Sequence, residues 1–143
     1  IFINKVINLF ANNKEIVGVL TGKRRQYIID ELKSNNIPYK YFEMVKPNEI
    51  NELYNILNLY IVSSRIEGGP QAILECAITK TPIISTDVGL ASEVLHETSI
   101  YINEISNAEP NVQHAYKNVE KLEISNLIDS YKSMFDEIYK SRK

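Results

Sequence analysis

Residues 63–89 read SSRIEGGPQAILECAITKTPIISTDVG, and this stretch decides the fold of the chain. Its first residue ends an apolar run at residues 59–63 that is typical of a buried strand. The glycine pair at 68–69 predicts a tight turn, and Pro70 suits the first position of a helix because its fixed φ is already helical. A second apolar run follows at residues 83–85. The stretch therefore predicts a strand, a helix whose N-terminus faces the carboxyl edge of that strand, and another strand.

The rest of the chain repeats this alternation of helices and strands. Apolar residues at helical spacing predict helices near residues 2–10, 24–35, 48–58 and 91–95. Short apolar runs predict a strand buried on both faces at residues 16–20, a strand at 39–44 and a weaker one at 99–102. Five strands that alternate with helices predict a doubly wound α/β fold with a parallel sheet, in which ligands bind outside the carboxyl ends of the strands.

From about residue 111 the pattern changes to two amphipathic helices without a strand between them. Their Tyr and Phe positions are predicted to belong to the core, although in related folds the terminal helix crosses to a partner domain. Because the 143 residues suit one domain, residues 111–143 are expected to form terminal helices of the same domain.

The composition excludes several classes of function. A net charge of -2 argues against nucleic acid as a partner. The one cysteine, Cys76, rules out an internal disulfide and is expected to be a small packing residue. His96 and His114 are not at metal-ligand spacing and are expected to lie at the surface, so no metal site is predicted. No apolar run approaches the roughly 20 residues of a membrane span and no signal peptide is recognisable, so the cytoplasm, or the cytoplasmic face of a membrane, is the expected location.

The start of the helix after Pro70 is suited to binding phosphate. The amides of Gln71, Ala72 and Ile73 are expected to be unpaired, and the helix dipole places positive charge beside them. Pro70 itself has no amide proton to donate. The two glycines ahead of these amides lack the Cβ atoms that would hold a diphosphate at a distance. The sequence therefore predicts a site for a nucleoside diphosphate.

Two glutamates flank this turn. On a helical wheel Gln71 and Glu75 lie opposite the face that is expected to pack on the sheet, which consists of Pro70, Ile73, Leu74, Ala77 and Ile78. Glu75 is thus expected to be free for a ligand. A ribose diol attached to a phosphate at the helix start would lie about one helical turn, roughly 5.4 Å, away. Glu67, in the loop, would face the sugar beyond the phosphates.

The pair Glu67 and Glu75 forms a Glu-x7-Glu pattern within Ser-x-x-Glu-Gly-Gly-Pro-x-x-Ile-Leu-Glu, followed at residues 81–89 by Thr-Pro-Ile-Ile-Ser-Thr-Asp-Val-Gly. These motifs resemble the family-four retaining glycosyltransferases, the glycosyl transferases group 1. Enzymes of that family have the GT-B fold, in which two Rossmann-like domains enclose the active site in the cleft between them. The resemblance implies that residues 1–143 are the nucleotide-sugar-binding, C-terminal domain of such an enzyme, truncated at the N-terminus.

The resemblance also implies roles for individual residues. Glu67 is similar to the first motif glutamate, which contacts the transferred sugar and supports catalysis, and Glu75 would hold the ribose hydroxyls. The segment Met44-Val45-Lys46 resembles the loop whose backbone contacts the nucleobase, which assigns that contact to Val45. The diphosphate and part of the sugar would be taken by the turn and by the first amides of the helix, that is by Gly68, Gly69, Pro70, Gln71 and Ala72.

Two departures from the family pattern bear on the site. Gly68-Gly69-Pro70 stands where family members usually have Gly-Phe-Gly, so a sugar pocket of different shape is expected. The basic residues with which the family neutralises the diphosphate precede the first helix and are absent here, and Lys23, Arg24 and Arg25 are not their equivalents.

The implied reaction transfers a sugar from a UDP-, GDP- or ADP-sugar to a hydroxyl acceptor with retention, and it requires no cofactor and no metal. The implied partners are the nucleotide-sugar donor and a missing N-terminal domain that binds the acceptor. The resemblance is also compatible with peripheral association of the enzyme with a membrane through that missing domain. Assembly of polysaccharide or glycolipid is the usual setting of such enzymes. The chain by itself is expected to be inactive.

Two alternatives stay open. A nucleotide-sugar epimerase of the GT-B type would consume a hexosamine-linked nucleotide without an acceptor. A non-catalytic regulatory module of flavodoxin-like form would share the fold, since fold alone does not settle function. The receiver type of such a module needs clustered acidic residues at strand ends, and Asp87 stands alone. A dehydrogenase is disfavoured because no Gly-x-Gly-x-x-Gly follows any predicted strand.

Overall fold

The computed structural model describes residues 2–12 and 15–141. Helices and strands alternate through the first two thirds of the chain, and two helices end it. The helices are α1 (Phe2–Asn12), α2 (Gln26–Ser34), α3 (Pro47–Ile56), α4 (Gln71–Thr79), α5 (Ala91–Val94), α6 (Val112–Glu120) and α7 (Ile124–Ser141). The strands are β1 (Gly18–Thr21), β2 (Tyr39–Phe42), β3 (Tyr60–Val62) and β4 (Ile83–Ser85).

The strands form two parallel pairs. β1 pairs with β2, with Gly18 opposite Tyr39, and β3 pairs with β4, with Tyr60 opposite Ile83. Parallel neighbours need crossover connections, and α2 and α4 supply them. The predicted α/β class with parallel strands is therefore confirmed, and the loops that follow β2 and β3 lead into α3 and α4.

The predicted strand at residues 99–102 is wrong. A 3₁₀ turn covers Glu97–Ser99, so the first residue of the apolar run belongs to a turn. A single parallel bridge joins Ile100 to Ser85, and the amide of Tyr101 donates to the Ser85 carbonyl at 2.9 Å. Ile102 is already 85% exposed. The chain thus touches the edge of β4 for one bridge and then leaves it.

The expectation that the first strand is buried on both faces is also wrong. All four residues of β1 are half-buried, and Val17 just before it is 55% exposed. Among the described residues β1 pairs with β2 alone, so its other edge adjoins no strand. The cover comes from α1 and α2, whose Ile3 and Leu32 form a small core with Ile37. β4, in contrast, is buried at all three residues.

The main core surrounds α4. Cys76 and Ala77 lie three and four residues after Ile73, and all three are completely or almost completely buried. The prediction that Cys76 is a packing residue is confirmed. Ile78, which was expected on the same face, is 41% exposed, because at about 100° per residue it lies about 140° around the helix from Ile73, on which the buried face is centred.

The two terminal helices differ in burial. α6 packs against α4 and buries Ala115 and Val119, whereas none of the side chains of α7, from Ile124 to Ser141, is buried. Phe135 is 63% exposed, so the prediction that the aromatic residues of the last helix belong to the core is wrong. The predicted helix is confirmed, but α7 continues beyond α6 and keeps its apolar face in contact with solvent.

The burial of Cys76 predicts a loss of stability at alkaline pH. Burial, together with the nearby Glu75 carboxylate, raises the pKa of the thiol well above its ordinary range. In the unfolded chain the thiol ionises near pH 8.5, so above that pH the unfolded state binds fewer protons than the folded state. The free energy of unfolding is expected to fall by up to about 1.4 kcal/mol per pH unit from this group.

Chemical denaturation between about pH 7.5 and about pH 9, where unfolded tyrosines are still almost fully protonated, tests this expectation. Cys76→Ala removes the titrating group and should flatten the dependence. An equal slope in both proteins would contradict the assignment to Cys76.

Candidate functional site

The loop between β3 and α4 presents the predicted site residues to solvent. Glu67, Gly68 and Gly69 are exposed, whereas Pro70 is buried and caps α4 with a φ of -65°. Pro70 was expected as the first helical residue and lies one position earlier. A Cβ atom built on Gly68 would meet no atom within 4 Å, while one on Gly69 would touch Leu90 Cδ2 at 3.4 Å. Gly68 therefore borders open space that a ligand can enter.

Two amides at the start of α4 remain suited to an anion. The Ile73 amide donates to the Pro70 carbonyl at 3.0 Å, so the expectation that it is unpaired is wrong. Gln71 and Ala72 lie in the first turn, where an α-helix provides no carbonyl for the amides. These two amides point along the positive end of the helix dipole, which favours a phosphate at this place.

Glu75 has a protein partner. The Tyr54 hydroxyl, on α3, donates a 2.6 Å hydrogen bond to Glu75 Oε2, and Glu75 itself is half-buried. The expectation that Glu75 is free for a ligand is therefore wrong, because one of its oxygens already accepts a hydrogen bond from Tyr54. A carboxylate has about four lone-pair positions, so the bond leaves acceptor capacity on both oxygens.

Sequence reasoning missed Tyr54 because the pair lies 21 residues apart on two helices. A signal was present in the sequence. Tyr54 follows Ile50 by one turn on the apolar face of α3, and a buried tyrosine hydroxyl usually needs a hydrogen-bond partner. Burial, and then the bond to Glu75, raise the pKa of Tyr54 well above its ordinary range. The hydroxyl therefore stays protonated and able to donate.

The segment after β4 supports the Glu67 loop. Gly89 has a φ of +53°, and a Cβ atom built there would lie 2.9 Å from the carbonyl oxygens of Glu67 and Gly68. The Thr86 hydroxyl donates to the Ser64 carbonyl at 2.7 Å. Residues 86–89 thus hold the loop that carries Glu67. The sequence motif included Gly89 without a role for it, and the glycine itself was the available signal.

Val45 lies in the loop between β2 and α3. It is half-buried and borders a groove of about 450 Å³ that is also lined by Phe42, Met44, Glu49, Glu52, Leu53 and Ile56. The amide of Lys46 donates to Glu49 Oε2 at 2.8 Å, which fixes the start of α3. The same helix carries Tyr54, so the Val45 loop and Glu75 are connected through α3.

The basic residues before α2 and the two histidines make contacts of their own. Three exposed basic residues precede α2, namely Lys23, Arg24 and Arg25. Arg25 Nε donates a hydrogen bond to the Thr21 carbonyl at 2.9 Å. His96 and His114, expected at the surface, are half-buried, with ring centroids 5.0 Å apart in an edge-to-face arrangement.

Among residues 2–12 and 15–141 no three His, Cys, Asp or Glu side chains are grouped as metal ligands. None of the described helices has the length and apolar character of a membrane span.

The chain is similar to known proteins in its fold and in its sequence family. The chain is similar to a solved structure described as the crystal structure of the GtfA/B complex, with a TM-score of 0.68 and 15% sequence identity. The match covers 96% of the present chain. The chain spans 32% of that structure's chain. Likeness at this identity shows the fold, which is half of a GT-B fold. No curated protein matches significantly. The family model of glycosyl transferases group 1 matches residues 3–140, and the chain therefore belongs to this glycosyltransferase family.

Proposed function

We propose that this chain is the donor-binding part of a retaining glycosyltransferase, which transfers a sugar from a nucleoside-diphosphate sugar to a hydroxyl acceptor. The observation that carries the proposal is the turn before α4. Gly68 faces open space, and the amides of Gln71 and Ala72 follow it at the positive end of a helix. Membership of the family supports glycosyl transfer in general.

In this proposal the donor lies across the start of α4. The diphosphate is bound by the turn and the two amides, and the backbone around Val45 meets the nucleobase. Glu75, one turn into the helix, binds the ribose hydroxyls. Glu67 contacts the transferred sugar. The oriented amides, rather than a metal ion, stabilise the departing diphosphate, because fixed dipoles need no reorganisation during the reaction.

The acceptor is bound by a second domain in the full-length protein. Because the GT-B active site lies between two domains, the present chain alone is expected to bind the donor weakly and to be inactive. The proposal places the reaction in the cytoplasm, in the assembly of a polysaccharide or glycolipid.

Calorimetric titration of the full-length protein with UDP, GDP and ADP tests the donor site. One of the three is expected to bind, and Glu75→Ala should weaken it about 10-fold, because a charge-assisted hydrogen bond to the ribose is lost. In the present chain, amide chemical shifts should change on addition of that nucleotide at Val45, Gly68, Gly69, Gln71, Ala72 and Glu75.

Glu97→Ala is the matched control, since Glu97 is an exposed carboxylate in the turn after α5. It should bind the nucleotide like the wild type. If the full-length protein bound none of the three nucleotides, or if Glu75→Ala bound as tightly as the control, the donor site would have been assigned wrongly.

A further inference from the structure

Tyr54 is the buried partner of the glutamate to which the proposed function gives the ribose. It is 5% exposed, and its hydroxyl donates to Glu75 Oε2 at 2.6 Å. Its ring packs on Tyr60, with centroids 5.7 Å apart and planes tilted by 54°. The terminal torsion of a glutamate is broad, so a free carboxylate rotates over a wide range. A short bond from a rigid, buried donor restricts that rotation.

The main chain of Tyr54 is also bonded to the segment that follows α4. The Thr81 hydroxyl donates to the Tyr54 carbonyl at 2.8 Å, and the Thr79 hydroxyl donates to the Glu75 carbonyl at 2.7 Å. The two threonine hydroxyls lie 2.8 Å apart, and since each has a single proton, a hydrogen bond between them would replace one of the two bonds to a carbonyl. Tyr54 is therefore linked to the end of α4 through its main chain and to Glu75 through its side chain, which restricts the position of the carboxylate.

This arrangement connects the two sides of the proposed donor site. Val45 lies just before α3, and Tyr54 lies on α3, whereas Glu75 lies on α4 behind the phosphate-binding turn. A nucleoside bound between the Val45 loop and Glu75 would therefore meet groups whose spacing is set by the contact between α3 and α4. The hydrogen bond between Tyr54 and Glu75 is a direct polar link across that contact.

We propose that Tyr54 is a positioning residue for ribose recognition: its hydroxyl fixes the Glu75 carboxylate so that Oε1 faces the ribose diol, and it thereby sets the preference for ribonucleotides over 2′-deoxyribonucleotides. The inference rests on the proposed function of Glu75. It adds that the Glu75 carboxylate selects the ribose diol only when the Tyr54 hydroxyl on α3 orients it.

Tyr54→Phe in the full-length protein tests the inference, because it removes the hydroxyl and retains the ring. Each of UDP, GDP and ADP is titrated beside its 2′-deoxy form. The ribonucleotide that binds the wild type is expected to bind the variant about 3- to 10-fold more weakly, and the 2′-deoxy form less than about 2-fold more weakly. In a transfer assay the KM for the corresponding nucleotide sugar should rise by the same factor, with kcat unchanged.

Tyr60→Phe is the control, since it removes a hydroxyl from the adjacent ring without removing the bond to Glu75. It should keep the wild-type preference for the ribonucleotide. Thermal denaturation of both variants reports whether packing has changed.

The outcomes separate this inference from the proposed function. Equal weakening of both nucleotide forms by Tyr54→Phe, or a preference that stays at the wild-type value, would overturn the positioning role alone. If the wild type bound the ribonucleotide and its 2′-deoxy form equally, the ribose site at Glu75 would be overturned, and the role of Tyr54 with it.

Discussion

Glu67→Ala is expected to lower kcat of the full-length protein by about 10²- to 10³-fold, with a much smaller change in the KM for the donor. In the proposed function Glu67 contacts the transferred sugar, and this contact matters most while the bond to the diphosphate breaks. Glu67 is exposed in the loop before α4, Gly89 approaches its carbonyl closely, and Thr86 donates a hydrogen bond to the same loop at Ser64. A steady-state transfer assay with the nucleotide sugar identified by titration measures the effect.

The control for this prediction is again Glu97→Ala, which removes a carboxylate of the same chemistry from an exposed turn. It should leave kcat within about 2-fold of the wild type, because Glu97 has no role in the proposed site and an exposed substitution usually changes the free energy of unfolding by no more than about 0.5 kcal/mol. Binding of the nucleoside diphosphate should be nearly unchanged in Glu67→Ala, because the diphosphate is assigned to other groups. Wild-type turnover by Glu67→Ala would show that this glutamate has no part in catalysis.

Gly89→Ala is expected to have the largest effect on stability. At a φ of +53° an alanine is strained, and its Cβ would lie 2.9 Å from the carbonyl oxygens of Glu67 and Gly68, which are backbone atoms and cannot rotate away. We expect the free energy of unfolding to fall by about 2–4 kcal/mol and Tm by roughly 10 °C. Because the loop with Glu67 must shift, kcat should fall about 10²-fold as well.

Gly68→Ala provides a matched comparison on the other side of the same contact. The Cβ of this variant would enter open space, so Tm is expected to stay within about 2 °C of the wild type. Nucleotide binding should nevertheless weaken, because the methyl group occupies space assigned to the donor. Thermal denaturation and nucleotide titration of both variants should therefore give opposite patterns. An unchanged Tm in Gly89→Ala would contradict the support that residues 86–89 are inferred to give.

The order of elements could be predicted because each has a strong local signal. The Gly-Gly-Pro turn set the start of α4 to within one residue, and the apolar run at residues 83–85 coincided with β4. The failures came from neighbouring turns and from tertiary contacts. Residues 99–102 have the composition of a strand, but the 3₁₀ turn before Ile100 leaves one bridge to β4. Local pattern does not report how a neighbouring turn uses the same residues.

The candidate site was predictable in its loop and incomplete around it. Glu67, Gly68 and the first amides of α4 belong to one continuous stretch, so their proximity follows from the sequence alone. Tyr54 and Gly89 reach the site from distant segments and are identified by a hydrogen bond and a backbone approach. Such contacts depend on the packing of α3 and of the segment after β4, which periodicity does not determine.

The exposed face of α7 also affects the thermal behaviour of the chain. The heat-capacity change of unfolding comes mainly from apolar surface that is newly exposed to water. The apolar side chains of α7 are at least partly solvated before unfolding begins, and none of them is buried. This helix therefore adds less to the heat-capacity change than its 18 residues would suggest at the usual value of about 12–15 cal/mol/K per residue. A heat-capacity change calculated from chain length would therefore be too large, and the curve of unfolding free energy against temperature calculated from it would have too much curvature.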